Sequence, residues 1–278
     1  MSKINKINIW HRKRIGKNTR LHLSAGKRIG SVFLITLLVL TGCGGKERTT
    51  LPKPSSENLM NEETAAVEVE EIDPDYAEEQ AEAAVNRMSL DDKLELMVSG
   101  YENIGTMYRY FPGDQTMEEG TPGKIPECRD SLMTLRSSLD ERYSDMKEDG
   151  NGRVMMSLEA YPKVTAMITP AFMSYEIVTS LLRTEMGFEG VVYTPPLNDA
   201  RLSGKYPKDT DGYLAIEAVK AGCDVIYQPQ DRDRVIQALR IEVNTDNMSV
   251  DRIDLSAIRV MEYRILNGLE PAEKEEEK

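Results

Sequence analysis

Apolar residues recur along this chain at two periods, and the alternation between them sets the expected fold. Ala77, Ala81, Ala84, Val85 and Met88 follow helical spacing behind Asp73-Pro74, a cap with proline in the first turn. Leu90, Leu94 and Met97 share a helix face behind Ser89, and Asp92 sits three residues on to complete a reciprocal cap. Arg153–Leu158 is a short apolar run expected as a strand. A helix is expected over Tyr175–Met186, capped by Ser174 and stopped by Gly187. Strand Val191–Thr194, helix Tyr213–Ala221 ending at Gly222, and strand Asp224–Tyr227 follow. Helix Arg232–Val243 starts behind Asp231, and a last helix, Val250–Asn267, lies between Ser249 and Gly268. Apolar strands alternating with helices predict a parallel α/β array.

The flanks do not share this pattern. The first 42 residues hold nine Lys/Arg and no Asp/Glu, run through apolar Ser31–Leu40, and end in Leu40-Thr41-Gly42-Cys43. A basic start, a short apolar core and a small residue before cysteine predict an exported bacterial lipoprotein, its signal spanning 1–42 and lipid carried on Cys43. The apolar run falls short of the ~20 residues that span a bilayer. Residues 43–73, with Val67-Glu68-Val69-Glu70-Glu71, are too polar and acidic to build a core and are expected as a disordered tether. The tail 270–278 has the same character. The segment 74–269 between them is long enough for one domain.

Beyond the signal stand 26 Lys/Arg against 47 Asp/Glu, a formal charge of −21. So acidic a domain excludes nucleic acid as partner, because phosphate contacts need a basic patch. His11, His22 and Trp10 all lie in the signal. Histidine-based acid–base chemistry, serine or cysteine triads and histidine-ligated metals are therefore excluded, and no cofactor is expected. Cys128 and Cys223 are expected as two separate thiols. Asp209-Thr210-Asp211-Gly212 lacks the flanking acids of a calcium loop and is expected as a turn and helix cap. The scattered methionines are expected as core filler.

Residues 170–229 carry the most specific signal. Pro170, Ala171, Ser174, Glu176, Ile177 and Val178 match P-A-T-L-S-P-E-I-V, and Gly187, Phe188, Gly190, Val191, Val192, Thr194 and Leu197 match G-F-x-G-V-V-x-T-D-D-L. Ala221-Gly222-Cys223-Asp224 follows A-G-A-D, and Met88–Tyr101 follows an M-T-L-E-E-K opening helix. Arg109–Thr116 follows K-H-F-P-G-H-G-x-T with one residue missing, and Arg153–Leu158 follows A-V-M-V-S-H. The chain resembles glycoside hydrolase family 3, the family of β-N-acetylhexosaminidases and β-glucosidases, from Met88 to Leu269. The resemblance implies an α/β fold: a partial (β/α) TIM-barrel-like domain with parallel strands. About half of a full barrel is absent, since such barrels take ~250 residues.

The same resemblance places the chemistry. The family's nucleophile is the first Asp of T-D-D, where Pro195 stands, and in its hexosaminidase branch the proton donor is a histidine at the position of Thr121. Proline has no carboxylate and a threonine hydroxyl is too weak an acid, whereas retaining hydrolysis needs both groups. Asp199, Asp114 and Glu159 are candidate substitute acids, expected instead as solvated carboxylates or caps. Arg109, Tyr110 and Tyr193 are candidate sugar-binding residues: one donates to hydroxyls, two can stack on a ring. The expected function is non-catalytic, holding a glycan or cell-wall fragment or docking a partner protein at the cell surface. The competing readings are an active glycosidase with relocated acids and a pure protein scaffold. Half a barrel also leaves an open edge and an apolar inner face, which predicts a homo-oligomer or a partner covering that edge.

Overall fold

Two N-terminal helices start where side-chain acceptors satisfy their first amides. In the computed structural model, which describes residues 72–99, 107–113, 121–149, 152–207 and 209–269, helix α1 (Pro74–Arg87) begins with the Asp73 carboxylate accepting from the Asp75 amide at 2.9 Å. Helix α2 (Leu90–Met97) begins with the reciprocal cap that its sequence predicts. Ser89 Oγ accepts from the Asp92 amide, and Asp92 Oδ2 accepts from the Ser89 amide at 3.0 Å. Ala77 and Ala81 let α1 approach Ala257, Met261 and Ile265 of the last helix closely.

Five short parallel strands form the centre. Strands β2 (Tyr108–Phe111), β3 (Arg153–Met156) and β4 (Val191–Tyr193) pair in that order. A parallel bridge from Tyr193 to Val225 carries the array on to β5 (Ile226–Tyr227), which pairs with β1 (Val98–Ser99). The order is therefore β2-β3-β4-β5-β1. The first strand lies beside the last, as in a closed barrel, but among the described residues no ladder joins β1 to β2. Among the described residues these two strands are the ends of the array, which is that of a partial barrel.

Alternation along the strands divides the core. Val154, Met156, Val192 and Ile226 point to one face. There they pack against α3 (Leu132–Asp149), the helix Glu176–Glu185 (called α5, after the short α4, Pro162–Thr165), α6 (Asp211–Ala221) and α7 (Arg232–Asn244). Met155, Val191, Tyr193 and Val225 point to the other face and are buried with Val260 and Tyr263 of α8 (Val250–Leu266). The Arg153 guanidinium lies 4.5 Å from the centre of the Tyr263 ring. The apolar inner face is thus covered at these residues, which leaves the edge as the open feature.

Four elements differ from expectation. Helix α3 and strand β1 were not expected. Helix α5 occupies the expected segment, but its hydrogen bonds run from each amide to the carbonyl five residues back, as from Met186 to Leu181 at 2.9 Å. That wider turn brings Ile177 and Val178 into line with Leu181 and Leu182 on the core side. The expected strand at Asp224 begins only at Ile226, because the Asp224 carboxylate is drawn into a buried cluster. It accepts from the Val192 amide at 3.0 Å and Ser256 Oγ at 2.8 Å, and it faces Arg183, Arg252 and Arg259.

The expected signal peptide, Cys43, the tether as far as residue 71, the tail 270–278 and Asp114 lie outside the described residues. Cys128 and Cys223 are both free thiols, as expected. Cys223 is buried and donates to the Phe172 carbonyl at 3.4 Å, and burial pushes its pKa up. Among the described residues eight methionines are buried, but Met133 and Met167 are exposed and are not filler.

Candidate functional site

The C-terminal ends of the strands carry the polar groups, as barrel geometry requires. Beyond β2 the chain runs Phe111-Pro112-Gly113 into the residues that follow β3. A Cβ on Gly113 would lie 2.7 Å from both Glu159 Oε2 and Tyr161 Oη, so any larger residue here would have to push that pair aside. Tyr161 Oη donates to Glu159 Oε2 at 2.6 Å, and the Glu159 amide donates to Ser157 Oγ at 2.9 Å. Burial, then the contact with Glu159, raises the Tyr161 phenol well above its ordinary range, so it stays a donor. Arg142 of α3 braces the same loop, donating to the carbonyls of Pro112 and Gly113 at 3.4 and 3.2 Å. Leu158, which stands at a family histidine position, is buried in the core.

Beyond β4 the chain is laced to β5. Thr194 is buried, and its Oγ1 accepts from the Tyr227 amide at 2.9 Å. The Leu197 amide donates to the Tyr227 carbonyl and the Asn198 amide to the Gln228 carbonyl, both at 3.0 Å. Pro195 sits buried between these bonds. Asp199, the nearest carboxylate downstream, caps the turn Ala200–Gly204. Its Oδ1 accepts from the Arg201 amide and Nε at 2.8 and 2.9 Å, and its Oδ2 accepts from Arg201 Nη2 at 2.6 Å. Burial would raise its pKa, but the Arg201 hydrogen bonds outweigh that and hold it below the usual carboxylate value. An acid so held stays ionised at neutral pH and cannot deliver a proton.

Thr121 is exposed at the start of a turn whose carbonyl accepts from the Lys124 amide at 3.1 Å. The Gly123 amide donates to the Ala200 carbonyl at 2.8 Å, which docks this turn on the segment after Asp199. The two backbones touch so closely that a Cβ on Gly204 would lie 1.9 Å from the Gly123 carbonyl oxygen. Gly204→Ala is therefore expected to pry the turns apart and to lower stability by about 1–3 kcal/mol. A urea midpoint equal to that of the wild type would contradict the close approach.

The structure gathers some of the expected binding residues. Tyr110 and Tyr193 fall in one inner-face cluster with Met155 and Tyr227. Tyr110 also contributes to raising the Arg201 pKa, after the larger effects of the Asp199 hydrogen bond and of burial, which lowers it. Arg109 is placed by its backbone only, paired with Met155. Tyr227 and Arg201 were not anticipated. Tyr227 could have been found from its position at the end of an apolar strand, and Arg201 from Asp199 two residues before it, whereas the approach of Arg201 to Tyr110 of β2 has no local signal. No group of three or more His, Cys, Asp or Glu suited to a metal occurs among the described residues.

Comparison with known proteins agrees with this geometry. The model of the family described as "Glycosyl hydrolase family 3 N terminal domain" matches residues 63–263. A "Beta-hexosaminidase" of Chromobacterium violaceum is 28% identical over 136 residues, covering 47% of this chain and 36% of that protein. "Beta-hexosaminidase A" of Pseudoalteromonas piscicida is 43% identical over 146 residues, covering 48% of this chain and 24% of that one. Among solved structures, a glycoside hydrolase family 3 β-N-acetylglucosaminidase from Paenibacillus superposes with a TM-score of 0.51 at 25% identity, over 58% of this chain and 31% of that chain. The chain thus spans about a third of the length of these relatives.

Proposed function

This chain belongs to the glycosyl hydrolase family 3 N-terminal domain family, and from that premise we propose that it is a non-catalytic glycan-binding member held at the bacterial surface by a lipid on Cys43. One observation carries the reading. The position of the family nucleophile is a buried proline, and the nearest carboxylate downstream, Asp199, is spent on a cap and an arginine pair. Glu159 is tied to Tyr161, and Thr121 carries no acid. What remains at the strand ends is suited to holding a sugar: the half-buried Tyr110 and Tyr227 and a braced Phe111-Pro112-Gly113 turn, whereas Tyr193, expected to stack on a ring, is buried under α8. The wild-type protein is expected to retain family glycans, β-linked N-acetylglucosamine or glucose oligomers, on an array without shortening them. Shortened glycans on the array would restore the enzyme reading, and no retention at all would favour a protein scaffold.

The anchor rests on Leu40-Thr41-Gly42-Cys43. Cys43→Ala is expected to abolish lipid attachment and leave the signal uncleaved. Mass spectrometry of the wild-type protein showing no lipid would end this part of the reading. The ends of the array at β1 and β2, to which no further ladder joins among the described residues, support a second copy or another protein as partner. Cross-linking should recover it, and a monomer with no captured partner would count against it.

A further inference from the structure

The connections that follow β3 and β4 meet in a strip that the site described above leaves unused. After β3 the chain makes an excursion from Tyr161 and returns where Pro170 bridges Ala160. The excursion leaves Met167 66% and Ile168 45% exposed. The ammonium of Lys205, in the connection after β4, donates to the Ile168 carbonyl. The same ammonium lies 5.6 Å from the centre of the Tyr206 ring. The Tyr206 and Tyr213 ring centres are 6.4 Å apart, with their planes inclined at 34°. Tyr206 packs against the main core, whereas Tyr213, in the first turn of α6, is 51% exposed.

We propose that this strip is a saccharide-stacking surface, in which Tyr213 and Tyr206 take the C–H face of a sugar ring and Lys205 donates to its hydroxyls. The proposal rests on the glycan-binding reading and gives it a second contact area, outside the degenerate catalytic positions. Tyrosine offers an apolar plate with a polar tip, and it loses little freedom on ordering. Tyr206 is already fixed by the core. Burial, then Tyr213 and Glu217, push its phenol up to about 12, so its hydroxyl remains a donor. An ammonium carries three donors, and the Ile168 carbonyl takes one. A dry protein-docking patch centres on apolar anchors stripped of charge. Here the Lys205 ammonium lies beside the Tyr206 ring. Such mixed chemistry suits a ligand with C–H faces on its ring and hydroxyls around its edge.

Titration calorimetry with β-linked N-acetylglucosamine oligomers and, separately, cello-oligosaccharides tests this on the whole protein. Tyr213→Ala should weaken binding of whichever series the wild type takes by roughly tenfold or more, as loss of a stacked tyrosine does. Lys205→Met should weaken it severalfold. Leu255→Ala, a substitution at an exposed site on α8, should leave affinity unchanged. Because Tyr213 and Lys205 are exposed, unchanged circular dichroism should accompany both losses. Undiminished affinity in both variants would overturn the strip while leaving the glycan reading intact. A loss shared equally by Leu255→Ala would also overturn it. No binding by the wild type to either series would overturn the glycan reading itself.

Discussion

Asp224→Asn is expected to cost this fold about 3–5 kcal/mol, enough to unfold a domain of ordinary stability. Asp224 is completely buried. Burial alone would raise its pKa, but Arg183, Arg259 and Arg252, aided by the Val192 amide, outweigh that and hold it at about 2. The asparagine keeps one acceptor oxygen, enough for Val192 or for Ser256 but not for both, and removes the charge that the guanidiniums share. Arg183, almost as buried, is then left without a counter-ion. The pH dependence follows in sign. A folded-state pKa below the ordinary carboxylate value of ~3.9 gives stability that is present above about pH 4 and is lost as pH falls toward 2. The wild type should therefore weaken through that window, and the variant should have little of this stability left to lose. Urea denaturation at neutral and acid pH measures both effects. Should the variant fail to fold, Arg259→Gln, which removes one arginine at 21% exposure, is expected to give a smaller loss with the same sign. A midpoint unchanged in either variant would remove the cluster from this account of stability.

Much of the fold was legible because its signals are local. Asp73-Pro74, Ser89 with Asp92, Asp231 and Ser249 each begin a helix because a side-chain oxygen accepts from an amide within three residues. The stops at Gly187 and Gly222 were equally plain, since both residues take positive φ. Helix α3 was missed although Ser131 accepts from the Thr134 amide and Leu132, Leu135, Leu139 and Met146 follow helical spacing. Its charged and hydroxyl residues dilute that stripe, and only the core it meets makes it count. Strand β1 is two residues long and exists by pairing with β5, 128 positions away in its register, which no window along the chain can show. The arginine cluster had the same obscurity: Arg183, Arg252 and Arg259 look like surface residues until tertiary structure brings them to Asp224.

The candidate site divides in the same way. Pro195 and Thr121 were found through motif positions, and the structure puts the Thr121 turn one hydrogen bond from the segment that follows Pro195. What Asp199 and Glu159 do was not legible in detail, because their roles are set by Arg201 and Tyr161, and Tyr161 in turn by the backbone of Gly113. Tyr110 and Tyr193 were visible as strand aromatics, whereas their company with Tyr227 depends on how β5 joins the sheet.

The second large effect concerns rate. Acid–base assistance is worth ~10²–10⁴, and a covalent nucleophile splits the difficult step into two easier ones. On the motif alignment, Pro195 and Thr121 supply neither group. Pro195→Asp is expected to restore no efficient turnover, because the new carboxylate would sit at a buried position with no proton donor supplied by Thr121. Hydrolysis of para-nitrophenyl N-acetyl-β-glucosaminide and β-glucoside by the purified wild-type protein is the most direct measurement. The account predicts release of nitrophenol no faster than in buffer. Turnover above that background, abolished by Asp199→Asn or Glu159→Gln, would contradict it and identify a relocated acid.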